Sequence, residues 1–157
     1  MAMLPRGCWA CFTDGDAMFT TSDFGHQLQE IIDLQGSEFK LFTSMTNRVG
    51  TKYQCVDGVW ETEDMYTHRQ LGKALQNNKR LEVQDITNNS PISGVLMLVE
   101  RDAWFYSDRF KEQGLLGVDN SIHYAIRKAG HKVGLMKGVY VQHYYRGGNI
   151  EDRSHLL

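Results

Sequence analysis

The feature that most constrains this chain is the stretch Cys8 to Phe19, CWACFTDGDAMF, in which an apolar, aromatic-rich run stops abruptly at Asp14-Gly15-Asp16. Runs of this length bounded by a turn signal fit a buried strand of an α/β sheet. Ligands of such sheets gather just beyond the carboxyl ends of the strands. Asp14 and Asp16 are therefore expected to project from the strand end into a site, with a glycine between them that lets a ligand approach the backbone. Two carboxylates this close repel each other unless a cation lies between them. Hard oxygen ligands of this kind suit Mg²⁺ or Mn²⁺ held jointly with substrate phosphates. The residues alone fit a solvated turn equally well, since Asp-Gly is a common turn pair.

The chain has 157 residues, the size of one domain and enough to bury a core. Hydrophobic residues make up 41% and charged residues 23%, which places it among soluble globular proteins rather than disordered or membrane chains. Net charge is −2 with both signs interspersed. No basic stripe is present, so nucleic acid is not an expected partner. No apolar run reaches membrane-spanning length, and the opening MAMLPRG lacks the apolar core of a signal peptide. The expected location is cytoplasmic. Cys8 and Cys11 have CxxC spacing, but the pair lies inside an expected strand and Cys55 stands alone. Buried thiols are expected, not a zinc site or a redox pair.

Along the chain, Thr20-Thr21-Ser22-Asp23 offers capping side chains for a helix with Leu28, Ile31, Ile32 and Leu34 at helical spacing and Gly36 as its stop. Phe39 to Met45 reads as a second buried strand. Thr46 to Trp60 is a glycine-punctuated loop, and Thr62 to Asn78 is helical. The polar stretch from there to Ser90 carries no clear signal. Gly94 to Val99 reads as a strand, Arg101 to Tyr106 as a short helix start, and Val118 to Ala129 as a helix capped by Gly130. Lys132 to Met136 and Val139 to His143 read as two strands around Gly138, followed by a polar tail. Alternating strands and helices indicate an α/β layer structure with a mainly parallel sheet.

Taken in order, these features resemble family-two glycosyltransferases with the GT-A fold. An apolar strand ends in Asp-x-Asp (Asp14-Gly15-Asp16). A strand beginning Ser93-Gly94-Val95 leads into the helix start Arg101-Asp102-Ala103-Trp104. The loop Phe110 to Gly117 precedes a helix opening Gly117-Val118-Asp119, which carries Arg127 and ends in Ala129-Gly130-His131. The last strand delivers His143. The resemblance covers nearly the whole chain and implies a single, partial GT-A domain over residues 1–157. That domain would be a three-layer sandwich with a mixed, mainly parallel sheet and a polar tail at 146–157. Family members place a strand-helix-strand unit for the nucleotide before the Asp-x-Asp strand, whereas thirteen residues precede Asp14 here. The expectation is a chain truncated at its N-terminus, or one completed by another chain. Self-association would cover the sheet edge that this leaves exposed.

The resemblance also implies roles. Asp14, Asp16 and His143 would hold a divalent metal, Mn²⁺ or Mg²⁺, that bridges the diphosphate of a nucleotide-sugar donor, with Asp14 facing the donor as well. Asp119 matches the general base of inverting members and would take the proton of an acceptor hydroxyl. Val118-Asp119 replaces the usual Glu-Asp pair, so the base is kept and its acidic neighbour lost. Ser93 and Gly94 would lie close to the donor sugar, and Trp60 is the tryptophan best placed to be a sugar platform. Each residue has a plainer reading. Asp119 can cap its helix, and His143 can be a strand-end histidine among Tyr140, Tyr144 and Tyr145. The remaining histidines and Trp9 and Trp104 are expected on the surface and in packing, respectively.

The implied function is a metal-dependent glycosyltransferase acting on a glycan or other hydroxyl acceptor. One alternative is a non-catalytic sugar-binding or assembly remnant of such an enzyme. Another is a haloacid-dehalogenase-like phosphohydrolase, which also places Asp-x-Asp after an apolar strand. That class wants Thr or Val where this chain has Met18, and Asp119-Asn120 supplies only half of its late acidic pair.

Overall fold

A computed structural model describes residue 1 and residues 3–105 and 117–144. In chain order the elements are β1 (Trp9–Thr13), β2 (Ala17–Phe19), α1 (Phe24–Gln35), β3 (Phe39–Thr46), α2 (Met65–Lys79), β4 (Val83–Asp85), β5 (Leu96–Glu100), α3 (Arg101–Trp104), α4 (Val118–Lys128) and β6 (Lys132–His143), with a short 3-10 turn at Lys52–Gln54. The expected loop at Phe110–Gly117 and the tail at 146–157 fall outside the described residues, Gly117 excepted.

The strands form one six-stranded sheet in the order β1-β5-β3-β6-β2, with β4 also paired to β6. Among the strand pairs of the described residues, β3–β6 is the parallel one and the other ladders are antiparallel. The sheet is therefore mixed, but the expected mainly parallel character is corrected. β1, β3 and β6 do run the same way, as alternating elements suggest. β5 inserts antiparallel between β1 and β3, so those two are not neighbours.

Side chains alternate across this sheet into two cores. Leu41, Val133 and Leu135 face a cluster with Ala103, Ile122 and Ile126 of α3 and α4, against which Leu71 and Leu75 of α2 also pack. Phe42, Leu98, Met136 and Val141 face the other cluster with Leu28 and Ile31 of α1. Helices thus cover both faces, giving the three layers expected from the sequence. Full burial of a side chain such as Ile31 contributes about 1.5–3 kcal/mol.

Helix ends follow local chemistry. Asp64 caps α2, its carboxylate accepting from the amides of Tyr66 and Thr67. Gly130 closes α4 with φ of 80°, a conformation that favours glycine. Asp23 precedes α1, but its side chain caps nothing and instead accepts from Gln76 and Arg80.

Two features position the strand ends. β1 is an edge strand, half-exposed rather than buried, with Cys11 in the open. It ends at Thr13 opposite Leu96, the first residue of β5, so the chain passes the end of β5 and joins β6 as β2 within a few residues. The two strands read around Gly138 are one, β6, whose register against β3 jumps from Met136 to Tyr140. Its first half pairs with β4 and its last residues with β2. A Cβ on Gly138 would lie 2.3 Å from the carbonyl oxygen of Lys79, so only glycine admits the close approach of the end of α2. No helix among the described residues is long and apolar enough to cross a membrane.

Candidate metal centre

The turn after β1 is fixed at both ends. The Thr13 hydroxyl and the Asp14 amide both donate to the Val95 carbonyl, each at 3.1 Å. The Ala17 amide closes the turn on the Asp14 carbonyl. Ala17 then pairs with His143, and the Tyr144 amide donates to the Asp16 carbonyl at 3.0 Å. The end of β6 is therefore tied to the Asp-x-Asp turn by backbone bonds. Gly15 has an ordinary φ and nothing within 4 Å of where a Cβ would stand, so the fold itself does not require glycine there.

This arrangement brings Asp14, Asp16 and His143 together. Nε2 of His143 lies 3.2 Å from Oδ1 of Asp16 and 3.5 Å from Oδ2 of Asp14. One ligand atom from each of the three lies within 4.8 Å of the others, with His143 buried and the carboxylates exposed. Nδ1 of His143 lies 3.0 Å from the Arg48 carbonyl, which can only accept, so that nitrogen carries a proton. A metal-bound histidine commonly donates its other ring N–H in this way. Partial burial, on a side chain still about half exposed, pushes the Asp14 carboxyl up from its ordinary value; the nearby Asp16 and Asp119 carboxylates add to this, while His143 opposes it. A cation relieves that crowding. Two carboxylates and one imidazole suit Mg²⁺ or Mn²⁺, the imidazole favouring the transition metal. These three residues form a group that can hold a metal ion.

The Asp119 carboxylate lies within electrostatic reach of Asp14. It stands in the first turn of α4, after Gly117 at φ of 111°. Its Oδ2 accepts from the Gly94 amide at 2.9 Å and its Oδ1 from the Asn120 amide at 2.8 Å. A Cβ on Gly94 would stand 3.0 Å from the Asp119 Cβ, so glycine permits this closeness. Ser93 is fixed by Gln54, whose side chain accepts from the Ser93 amide and donates to its carbonyl, while the Ser93 hydroxyl donates to Thr51. Trp60 is exposed and joined to this region through its carbonyl, which accepts from Arg48.

Asn47, Arg48 and Gln54 belong to the site without any motif that marks them as site residues. The signal for the first two is their position just beyond the carboxyl end of β3, the strand parallel to β6. Trp9 and Trp104 pack against Phe42 and Phe12, as expected of core aromatics. His68 and His123, expected on the surface, are fully buried. His68 is satisfied there by the Tyr140 hydroxyl and the Thr62 carbonyl, and one ring nitrogen of His123 by the Thr87 carbonyl.

Comparison of the chain with protein-family models, curated proteins and solved structures found no match.

Proposed function

We propose that this chain carries the catalytic residues of a metal-dependent glycosyltransferase, which moves a sugar from a nucleotide-sugar donor to an acceptor hydroxyl with inversion. One observation carries the reading. The Gly94-Val95 segment binds both halves of the chemistry, its Gly94 amide holding the Asp119 carboxylate and its Val95 carbonyl receiving the Asp14 amide. A cation ligand and a carboxylate base are thereby held against one short piece of backbone at a sheet end.

Asp14, Asp16 and His143 would hold the cation, which supplies neutralisation of the charge that collects on the departing diphosphate. Asp119 takes the proton of the acceptor hydroxyl as that oxygen attacks the anomeric carbon. The bond from that carbon to the diphosphate oxygen breaks, and its electron pair leaves with the diphosphate. Attack from the face opposite the leaving group inverts the configuration. Among the described residues each oxygen of Asp119 accepts one backbone hydrogen bond, which orients the carboxylate and leaves each oxygen a lone pair for a proton. Ser93 and Gly94 border the donor sugar, and Trp60 offers an aromatic face at the outer side.

The test is release of nucleoside diphosphate from a panel of nucleotide sugars, in the full-length protein, with Mn²⁺ and with a chelator. Mn²⁺-dependent release from at least one donor supports the reading. Release that is unchanged by chelation, or nucleoside diphosphate bound with no turnover of any donor, contradicts it.

A further inference from the structure

We propose that Asn47 and Arg48 are positioning residues that hold the His143 ring in one orientation and one tautomer. Nδ1 is kept protonated and Nε2 is turned to Asp14 and Asp16. The inference rests on reading His143 as a cation ligand, and it concerns how that ligand is presented.

Backbone pairing between β3 and β6 ends at Thr46 and Val141. Beyond it, the Asn47 side chain takes over the work of an opposing strand. Its Oδ1 accepts from the His143 amide at 2.7 Å and its Nδ2 donates to the His143 carbonyl at 3.1 Å. Arg48 adds a second donor, Nε, 3.2 Å from that same carbonyl. The Arg48 carbonyl then receives Nδ1–H of the ring at 3.0 Å. Asn47 is fully buried, and Arg48 and His143 are 5% and 6% exposed.

These four bonds constrain different degrees of freedom. The Asn47 amide and Arg48 Nε fix the His143 backbone, and therefore where the side chain starts. The Arg48 carbonyl fixes the ring, because an acceptor at Nδ1 keeps a proton on that nitrogen and makes Nε2 the ligand atom when a cation lies between the carboxylates. Nε2 is left as the nitrogen facing the carboxylates, at 3.2 and 3.5 Å. A partner that orients a metal-binding histidine in this manner affects metal affinity as well as fold.

The test compares the wild type with Asn47→Ala and Arg48→Lys, measuring Mn²⁺ affinity and the ¹⁵N resonances of the His143 ring, which report its tautomer. The wild type is expected to show protonated Nδ1. Asn47→Ala is expected to bind Mn²⁺ about 10–100-fold more weakly and to lose the single-tautomer signature. Should Asn47→Ala fail to fold, Arg48→Lys decides: it removes the Nε donor and keeps the charge, and it is expected to shift both readouts the same way. Wild-type affinity and ring signature in the folded variants, with only the melting temperature lowered, would overturn the proposal. If the wild type binds no Mn²⁺, the cation reading falls. The clamp is then judged on the ring signature alone, and a signature unchanged by the substitutions overturns it.

Discussion

The Asp119 carboxylate accepts a hydrogen bond from the Gly94 amide at 2.9 Å, one residue before the carbonyl that receives the Asp14 amide. A cap at a helix start needs only the amides of its own first turn. Asp119 uses one of these, that of Asn120, and reaches outside its helix for the other. Its orientation is thus set by the strand that also anchors the Asp-x-Asp turn.

Loss of the carboxylate's basicity is expected to cost rate and not fold. Asp119→Asn keeps an oxygen able to accept from Gly94, so stability should change by less than about 1 kcal/mol. Turnover should fall roughly a hundredfold or more, because the proton acceptor is gone. Steady-state transfer and thermal unfolding of the variant check both. Near-normal transfer by Asp119→Asn, with Asp119→Ala lowering only the melting temperature, would make the residue a cap.

Gly94→Ala tests the same contact from the other side. The new Cβ would stand 3.0 Å from the Asp119 Cβ and 3.4 Å from its Oδ2, so the carboxylate must move. Displacing a reacting group by a fraction of an ångström to an ångström lowers turnover by roughly tenfold to a hundredfold. Mn²⁺ affinity should hold, since Asp14, Asp16 and His143 are untouched. A variant that transfers sugar at the wild-type rate would show that the closeness of these residues has no bearing on the chemistry.

Away from the site, stability should depend on acid through Asp23. Hydrogen bonds from Arg80 and Gln76, with the charge of Arg80, hold its carboxyl below the ordinary 3.8. A carboxylate with a depressed folded value stabilises the fold fully above its unfolded value and loses that contribution as pH falls through the folded one. Asp23→Asn should therefore melt below the wild type at neutral pH, and the gap should close as pH drops below about 4. Because the pair is partly exposed, the gap should be small and should shrink with added salt. Parallel melting curves across pH would show no such convergence if the pair were inert.

Much of this architecture was legible because apolar runs and turn residues agree locally. Trp9–Thr13 is a strand that stops just before Asp14, where the apolar run ends, and Gly130 closes α4 as expected. The errors have particular physical causes. β4 is three residues long, two of them exposed, and exists because β6 offers it an edge, which no local pattern announces. Gly138 looks like a break between strands, but it is the point where β6 bulges against the end of α2. The aromatics of β1 suggest burial, but its place at the sheet edge depends on pairing with a strand about ninety residues later. Within the site, carboxylates after an apolar strand stand out. Asn47 and Arg48 do not, since their role depends on His143 arriving from the far end of the chain.

Under the proposed function, Asp14, Asp16 and His143 hold a cation that works on a nucleotide diphosphate. Crystals soaked with Mn²⁺ and a nucleoside diphosphate, measured for anomalous scattering, test it most directly. A single Mn²⁺ peak is expected within ligand distance, about 2.0–2.3 Å, of one atom from each of the three side chains, with diphosphate oxygens completing its coordination. Mn²⁺ density elsewhere, or diphosphate bound away from these residues, would contradict it.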